Sequence, residues 1–125
     1  MHFVEHVVNL INEERMKNGL HPLKLNSKLS SIAQVKAEDM YINNYFNHTS
    51  PLLSSSFEML NKSAIQYSCA AENIAKGQRT AQRAVSAWMS SPKHRENILS
   101  EKYTETGIGV ADAYGIPIWT QLFIG

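Results

Sequence analysis

Cysteine is almost absent from this chain of 125 residues, in which Cys69 is the only example. No internal disulfide can form, so the chain does not fit the class of small domains that disulfides hold together. It also lacks any apolar run near the roughly 20 residues that span a bilayer. Charges run through the first segment, MHFVEHVVNLINEER, unlike the apolar stretch of a signal peptide. We therefore expect no transmembrane segment and no leader within this chain.

Excess charge of either sign is lacking as well, since 12 basic and 11 acidic residues give a formal net charge of +1. Such a balance provides no electrostatic footprint for nucleic acid, and we expect no nucleic-acid partner. The hydrophobic fraction of 43% is typical of a soluble globular protein. A chain of this length can bury about two-thirds of its unfolded surface, so we expect residues 1–125 to form a single domain.

Apolar residues at helical spacing predict five helices, the first of which ends near Asn18. The other four begin at residues that favour N-caps. Ser55 and Glu58 have the spacing of a capping box, and Ser91 precedes a proline at the first helical position. The predicted N-caps are Asn26, Ser55, Thr80 and Ser91, and the predicted buried faces are Leu29, Ile32, Ala33, Ala37 and Met40 in the second helix and Ala81, Ala84, Val85 and Trp88 in the fourth.

Three segments of the C-terminal half are typical of strands: SCAAENIAK, ETGIGVADA and PIWTQLFI. A Tyr-Gly turn between the last two favours an antiparallel hairpin. Helices, then a strand, more helices and a hairpin predict an α+β fold. In this fold the helices pack on a small antiparallel sheet, on one or both of its faces.

Two of the five histidines lie beside helix ends, where they can meet an acidic side chain. His48 follows the second helix in the segment FNHTSP. His94 would occupy about the third position of the fifth helix, where the helix dipole disfavours imidazolium and lowers the histidine pKa. A neutral imidazole is the form that binds metal. We expect the other three, His2, His6 and His21, to be solvated.

Glu72 is the acidic candidate, in the otherwise small and apolar strand CAAENIA. Period-2 alternation places it on one face with Ala70 and Ile74 and turns Cys69 to the other face. A carboxylate there needs a partner, because burying it unpaired is costly. Together with two imidazoles it can form a three-ligand site for a divalent cation, Zn²⁺ or Mg²⁺, with coordination positions left open. Alternatively, both histidines hydrogen-bond Glu72 and loop backbone and simply hold the helices to the sheet.

A nucleophile is harder to find. Cys69 and a histidine would form a nucleophilic pair, but strand parity turns the thiol away from Glu72. No serine lies in a G-x-S-x-G elbow. Gly107 and Gly109 fall inside a strand with no lysine or helix after them, so no phosphate-binding loop and no organic cofactor is implied.

Several segments taken together resemble the CAP domain, also called the SCP-like domain, in its compact bacterial form. They are YFNHTSP, AENIAKG, AVSAWMSSPKHRENIL, TGIGV and WTQLF, in the family's order along nearly the whole chain. The resemblance implies a three-layer α-β-α sandwich with a small central antiparallel sheet. It also implies an extracellular or cell-envelope location, of the kind found in bacterial secreted and spore-associated proteins.

The resemblance further implies a central cleft that contains His48, Glu72 and His94 as a metal site. Many relatives carry a second glutamate three residues after the tryptophan of the fourth helix, where this chain has Ser91. Glu58 does not replace it, because its position in the capping box already accounts for it. A second departure is Ala71, where the family usually has glycine.

Three hypotheses follow for function. The leading one is a binding or interaction module whose cleft accepts a divalent cation, with an unknown protein, lipid or cell-wall ligand as partner. The runner-up is a metal-assisted hydrolase of peptide or cell-wall bonds, in which Glu72 is either a ligand or a general base. The third is a purely structural cleft.

Overall fold

A computed structural model describes residues 2–50, 54–112 and 115–125 of the chain. Its described helices and strands alternate irregularly along the sequence, with helices concentrated in the first half. In chain order they are α1 (His2–Lys17), β1 (Lys24–Leu25), α2 (Ser27–Ile42), β2 (Thr49–Ser50), β3 (Ser54–Ser55), α3 (Ser56–Lys62), β4 (Ala70–Lys76), α4 (Ala81–Met89), α5 (Pro92–Ile98), β5 (Glu105–Ala111) and β6 (Ile118–Ile124).

The main sheet has the strand order β1-β5-β6-β4. Its three long strands are antiparallel neighbours, as the sequence predicts, with β6 in the centre between β4 and β5. The two-residue β1 pairs with β5 in parallel, so the sheet is mixed rather than purely antiparallel. A second small sheet joins β2 and β3. None of these three two-residue strands was predicted, since a segment that short has no detectable alternation.

Helices cover both faces of the main sheet, which confirms the α-β-α sandwich. Alternate strand residues divide between the two faces. On one face, α1 and α4 pack on β4, β5 and β6. On the other face, α2 packs on β5 and β6, and α3 packs on β4 and β6. The first core includes Val7, Ile11, Ala84, Trp88, Ala71, Trp119 and Phe123, and the second includes Leu29, Ala33, Leu60, Leu122 and Ile124.

Two glycines of β5 allow α2 to lie directly on the sheet. A Cβ atom at Gly109 would stand 2.4 Å from main-chain atoms of Ala33 and Gln34, and one at Gly107 would stand 2.4 Å from those of Leu29 and Ser30. Neither distance is compatible with a side chain. Close packing therefore requires glycine at both positions. This explains the two glycines, for which the sequence indicated no phosphate-binding role.

The predicted helix ends are confirmed. The side chains of Asn26, Ser55 and Thr80 each accept a hydrogen bond from a main-chain N–H in the first turn of their helices. Ser91 occupies the N-cap position of α5 before Pro92, but its side chain makes no capping hydrogen bond. The predicted Tyr-Gly turn includes Tyr114, which lies outside the described residues. None of the described helices is long and apolar enough to cross a membrane.

Candidate functional site

His48 and Glu72 form the centre of the candidate site. The Nδ1 atom of His48 lies 2.7 Å from Oε1 of Glu72. The loop after α2 brings the histidine over β4, on the face where Glu72 lies. Strand parity predicts the face of Glu72, and the structure adds that the His48 loop covers it. A carboxylate acceptor at Nδ1 selects the tautomer with the proton on that nitrogen, which leaves the lone pair of Nε2 free to act as a base or a metal ligand.

The other oxygen of Glu72 is engaged as well. Oε2 accepts a hydrogen bond from the hydroxyl of Ser56, the first residue of α3. Both partners are buried, with Glu72 6% exposed and Ser56 1% exposed. The side chain of His48, in contrast, is 52% exposed. The carboxylate is thus held from below while the imidazole that it orients faces the surface.

His94 lies in the first turn of α5 and is partly buried. Its main-chain carbonyl accepts a hydrogen bond from Asn73 of β4 at 3.2 Å, which ties α5 to the sheet next to Glu72. In the part of the chain that the structure describes, no residue forms a hydrogen bond with the His94 ring or with Nε2 of His48. Burial lowers the pKa of His94, and the nearby charge of His48 lowers it further. The ring is therefore neutral at neutral pH.

The three residues singled out in the sequence are brought to one region but not into one contact. His48 hydrogen-bonds Glu72. The charge of His48 acts on the His94 ring, but His94 makes no hydrogen bond to the Glu72 carboxylate. Among residues 2–50, 54–112 and 115–125, no three His, Cys, Asp or Glu side chains are grouped closely enough to hold a metal ion. The rings of His48 and His94 each have a nitrogen that none of the described residues hydrogen-bonds, which fits a zinc ion, but the carboxylate of Glu72 already accepts from two donors.

A second polar cluster lies beneath the His48 loop. Lys36 of α2 is 0% exposed, and its Nζ donates to the carbonyl oxygen of His48 at 2.8 Å and to the Tyr45 hydroxyl at 3.3 Å. The Tyr45 hydroxyl donates in turn to Oδ2 of Asp39, which also accepts from the Ser50 hydroxyl at 2.6 Å. These contacts fasten the loop to α2.

Charges and hydrogen bonds shift the pKa values in this cluster. Burial lowers the pKa of Lys36, while the charges of Glu72 and Asp39 act in the opposite direction. Burial acts to raise the pKa of Asp39, but hydrogen bonds from Ser50, Tyr45 and Asn43 outweigh it, with help from Lys36, so that the pKa is lowered. Burial, followed by the hydrogen bond to Asp39, raises the pKa of Tyr45 to about 12. At neutral pH the cluster therefore contains an ammonium, a carboxylate and a neutral phenol.

Sequence reasoning missed Lys36, Asp39 and Ser56. One signal for Lys36 was present, because it falls three residues after Ala33 and four before Met40 in the stripe predicted to be buried. A charged residue at such a position calls for a buried partner. In the structure it is buried along that stripe, while Ile32 is only partly buried.

The remaining candidates lie away from the site. Cys69 is partly buried against the core on the opposite face of the sheet from Glu72, with its thiol 3.6 Å from the carbonyl of Lys102, as strand parity predicts. His6 and His21 are exposed, also as predicted. The side chain of His2 lies outside what the structure describes.

Comparison with known proteins decides the family. The sequence pattern of the cysteine-rich secretory protein family, CAP, matches residues 8–123. The chain belongs to this family. Ser91, where the resemblance implies a second glutamate in many relatives, is the N-cap residue of α5. Ala71 pairs in regular register with Phe123, so that alanine is accommodated within an uninterrupted strand.

The chain is 48% identical over 119 residues to the Bacillus subtilis protein YkwD, a match that covers 95% of this chain and 46% of that protein. It is 32% identical to an extracellular protein of Bacillus anthracis that contains an SCP domain, with a TM-score of 0.92 over 98% of this chain and 40% of the other. An outer surface protein of Borrelia burgdorferi shares the fold, with a TM-score of 0.88 at 24% identity over 96% of this chain and 90% of the other. The chain spans less than half the length of YkwD. This is a CAP domain, similar to the SCP domain of an extracellular bacterial protein.

Proposed function

We propose that this CAP domain is a binding module of a secreted or envelope-associated bacterial protein, and that its cleft accepts one divalent cation between His48 and His94. The proposal is carried by the contact between Nδ1 of His48 and Oε1 of Glu72, which orients the free Nε2 toward the surface. Carboxylate-bound imidazoles are a recurrent arrangement around zinc. The partner that such a module would recruit is a protein, a lipid or a component of the cell wall.

Glu72 has the role of an orienting group in this proposal, rather than that of the direct ligand expected from the sequence. Its two oxygens accept from His48 and Ser56, and it is too buried to reach a cation at the surface without breaking both bonds. Imidazole donors favour Zn²⁺ over Mg²⁺, which prefers oxygen ligands. The lowered pKa of His94 keeps its ring neutral, and a neutral imidazole is the form that binds zinc.

Calorimetric titration of metal-stripped protein at neutral pH tests the proposal. Zinc should bind at about one ion per chain, magnesium should bind more weakly or not at all, and the folded His48→Ala/His94→Ala double variant should lose the zinc signal. His21→Ala is the matched control, because His21 is exposed and precedes β1, at the edge of the main sheet opposite β4. Zinc binding that the double variant retains would count against the cleft as the metal site.

A metal-assisted hydrolase remains the second candidate, favoured by one observation: the carboxylate at Nδ1 selects the tautomer in which the outer nitrogen of His48 can accept a proton. Peptide, ester and muropeptide substrates, assayed with and without a chelator, distinguish it from a binding module. An enzyme should turn over at least one of them and lose that turnover in both His48→Ala and His94→Ala. Turnover that persists in these variants comes from a contaminant and rejects the hydrolase.

A further inference from the structure

Lys36 is the one lysine of α2 that contributes nothing to the surface. It is 0% exposed, whereas Lys28 on the same helix is exposed. A lysine is almost never fully buried unless its charge is paired, because removing an ammonium from water is costly. The cost must be offset by what the ammonium binds.

The ammonium of Lys36 binds the loop that contains His48. Its shorter hydrogen bond, 2.8 Å, goes to the carbonyl oxygen of His48 itself. The same residue is held through its ring by Glu72, so the two ends of His48 are anchored separately, one to α2 and one to β4. Fixing both the main chain and the ring leaves the side chain little freedom to turn away from the carboxylate.

Two carboxylates also act on Lys36 through their charge. Glu72 orients His48, Asp39 binds the rest of the loop, and the charges of both carboxylates act on the Lys36 ammonium. Asp39 accepts from Ser50, two residues after His48. Lys36 thus joins α2 to the loop by hydrogen bonds, and it interacts with Glu72 of β4 through charge alone.

We propose that Lys36 is the positioning residue of this site, holding the main chain of His48 so that its imidazole stays hydrogen-bonded to Glu72. Lys36 touches neither solvent nor the outer nitrogen of His48, and it acts only through the loop. Its effect on metal affinity rests on the function proposed above, but its effect on the imidazole does not.

The tautomer of His48 in metal-free protein provides the test. Nitrogen NMR of histidine-labelled protein at mildly alkaline pH should show the proton on Nδ1 in the wild type and in the control Lys28→Met. Lys36→Met should give a mixture of both tautomers in a folded protein, because the ring is released from Glu72. Lys36→Gln, which keeps a polar group near Asp39 but is too short to reach the His48 carbonyl, should do the same.

Zinc titration extends the test to the site. Lys36→Met should weaken zinc binding about tenfold or more, the size of effect seen when the outer partners of a metal ligand are removed, and Lys28→Met should not. An unchanged His48 tautomer in Lys36→Met would overturn the proposal. Loss of folding in both Lys36 variants would also overturn it, since the lysine would then serve the core rather than the loop. If the wild type binds no zinc, the proposed function fails while the tautomer comparison still decides the role of Lys36.

Discussion

The hydrogen bond between Ser56 and Glu72 should be worth much more to the folded state than an ordinary surface contact. Glu72→Ala removes the acceptor of two donors that differ in exposure. Water can replace the carboxylate at His48, whose side chain is 52% exposed, so that loss is small. Ser56 is 1% exposed, so its hydroxyl is left unpaired in the core at a cost of about 1–3 kcal/mol. With the loss of buried side-chain contacts, we expect Glu72→Ala to reduce the free energy of unfolding by about 2–4 kcal/mol.

A double-mutant cycle isolates this interaction. Ser56→Ala alone deprives a buried carboxylate of a donor, and Ser56→Ala with Glu72→Ala removes both partners at once. A hydrogen bond to a charged group contributes about 1.5–3 kcal/mol, so the double variant should be less destabilised than the sum of the singles by about 2 kcal/mol. Urea denaturation in the presence of a chelator gives the four free energies.

Ser90→Ala is the matched control for this cycle. Its hydroxyl donates to the carbonyl of Ser86 on an exposed helix surface. We expect a change within about 0.5 kcal/mol, additive with Glu72→Ala. A coupling between Ser56 and Glu72 of less than about 0.5 kcal/mol would refute the view that the hydroxyl holds the carboxylate in place.

Two further predictions concern the packing of α2 and the state of His94. Gly109→Ala should destabilise the fold by about 3 kcal/mol, because its Cβ would stand 2.4 Å from the main chain of Ala33, and a urea midpoint equal to that of the wild type would contradict the close approach. The lowered pKa of His94 means that the unfolded chain binds a proton which the folded chain resists, so metal-free protein should lose stability as pH falls through the ordinary value of 6.5. His94→Gln should remove this component, and an identical pH dependence of the urea midpoints in the two proteins would contradict it.

The helix ends and the long strands could be predicted because each is specified by residues close together in sequence. Thr80 caps α4 through the N–H of Arg83, three residues away, and needs nothing from the rest of the chain. The alternation that separates Glu72 from Cys69 is likewise local, and it correctly placed the two side chains on opposite faces of β4. The short edge strand β1 could not be predicted from local sequence. It forms only because Lys24 and Leu25 pair with Glu105 and Thr106, which are distant in the chain.

The inner arrangement of the site could not be predicted for a similar reason. The Glu72 carboxylate accepts a hydrogen bond from Ser56 only because α3 begins next to β4. Local sequence does not specify that placement, so it gave no reason to consider Ser56. Lys36 reaches the His48 carbonyl only once the loop has folded back on α2. Sequence patterns identify which residues are unusual, while side-chain geometry decides whether an acid is a ligand or the partner of one.

The central claim is that Glu72 orients His48 so that Nε2 of this residue and the ring of His94 face a common ion. Nitrogen NMR of histidine-labelled protein, recorded before and after one equivalent of zinc, tests it directly because it reports each ring nitrogen separately. We expect the signals of Nε2 of His48 and of one ring nitrogen of His94 to shift together, while Nδ1 of His48 keeps its proton toward Glu72. A response at His6 or His21 instead, or loss of the Nδ1 proton of His48, would contradict it.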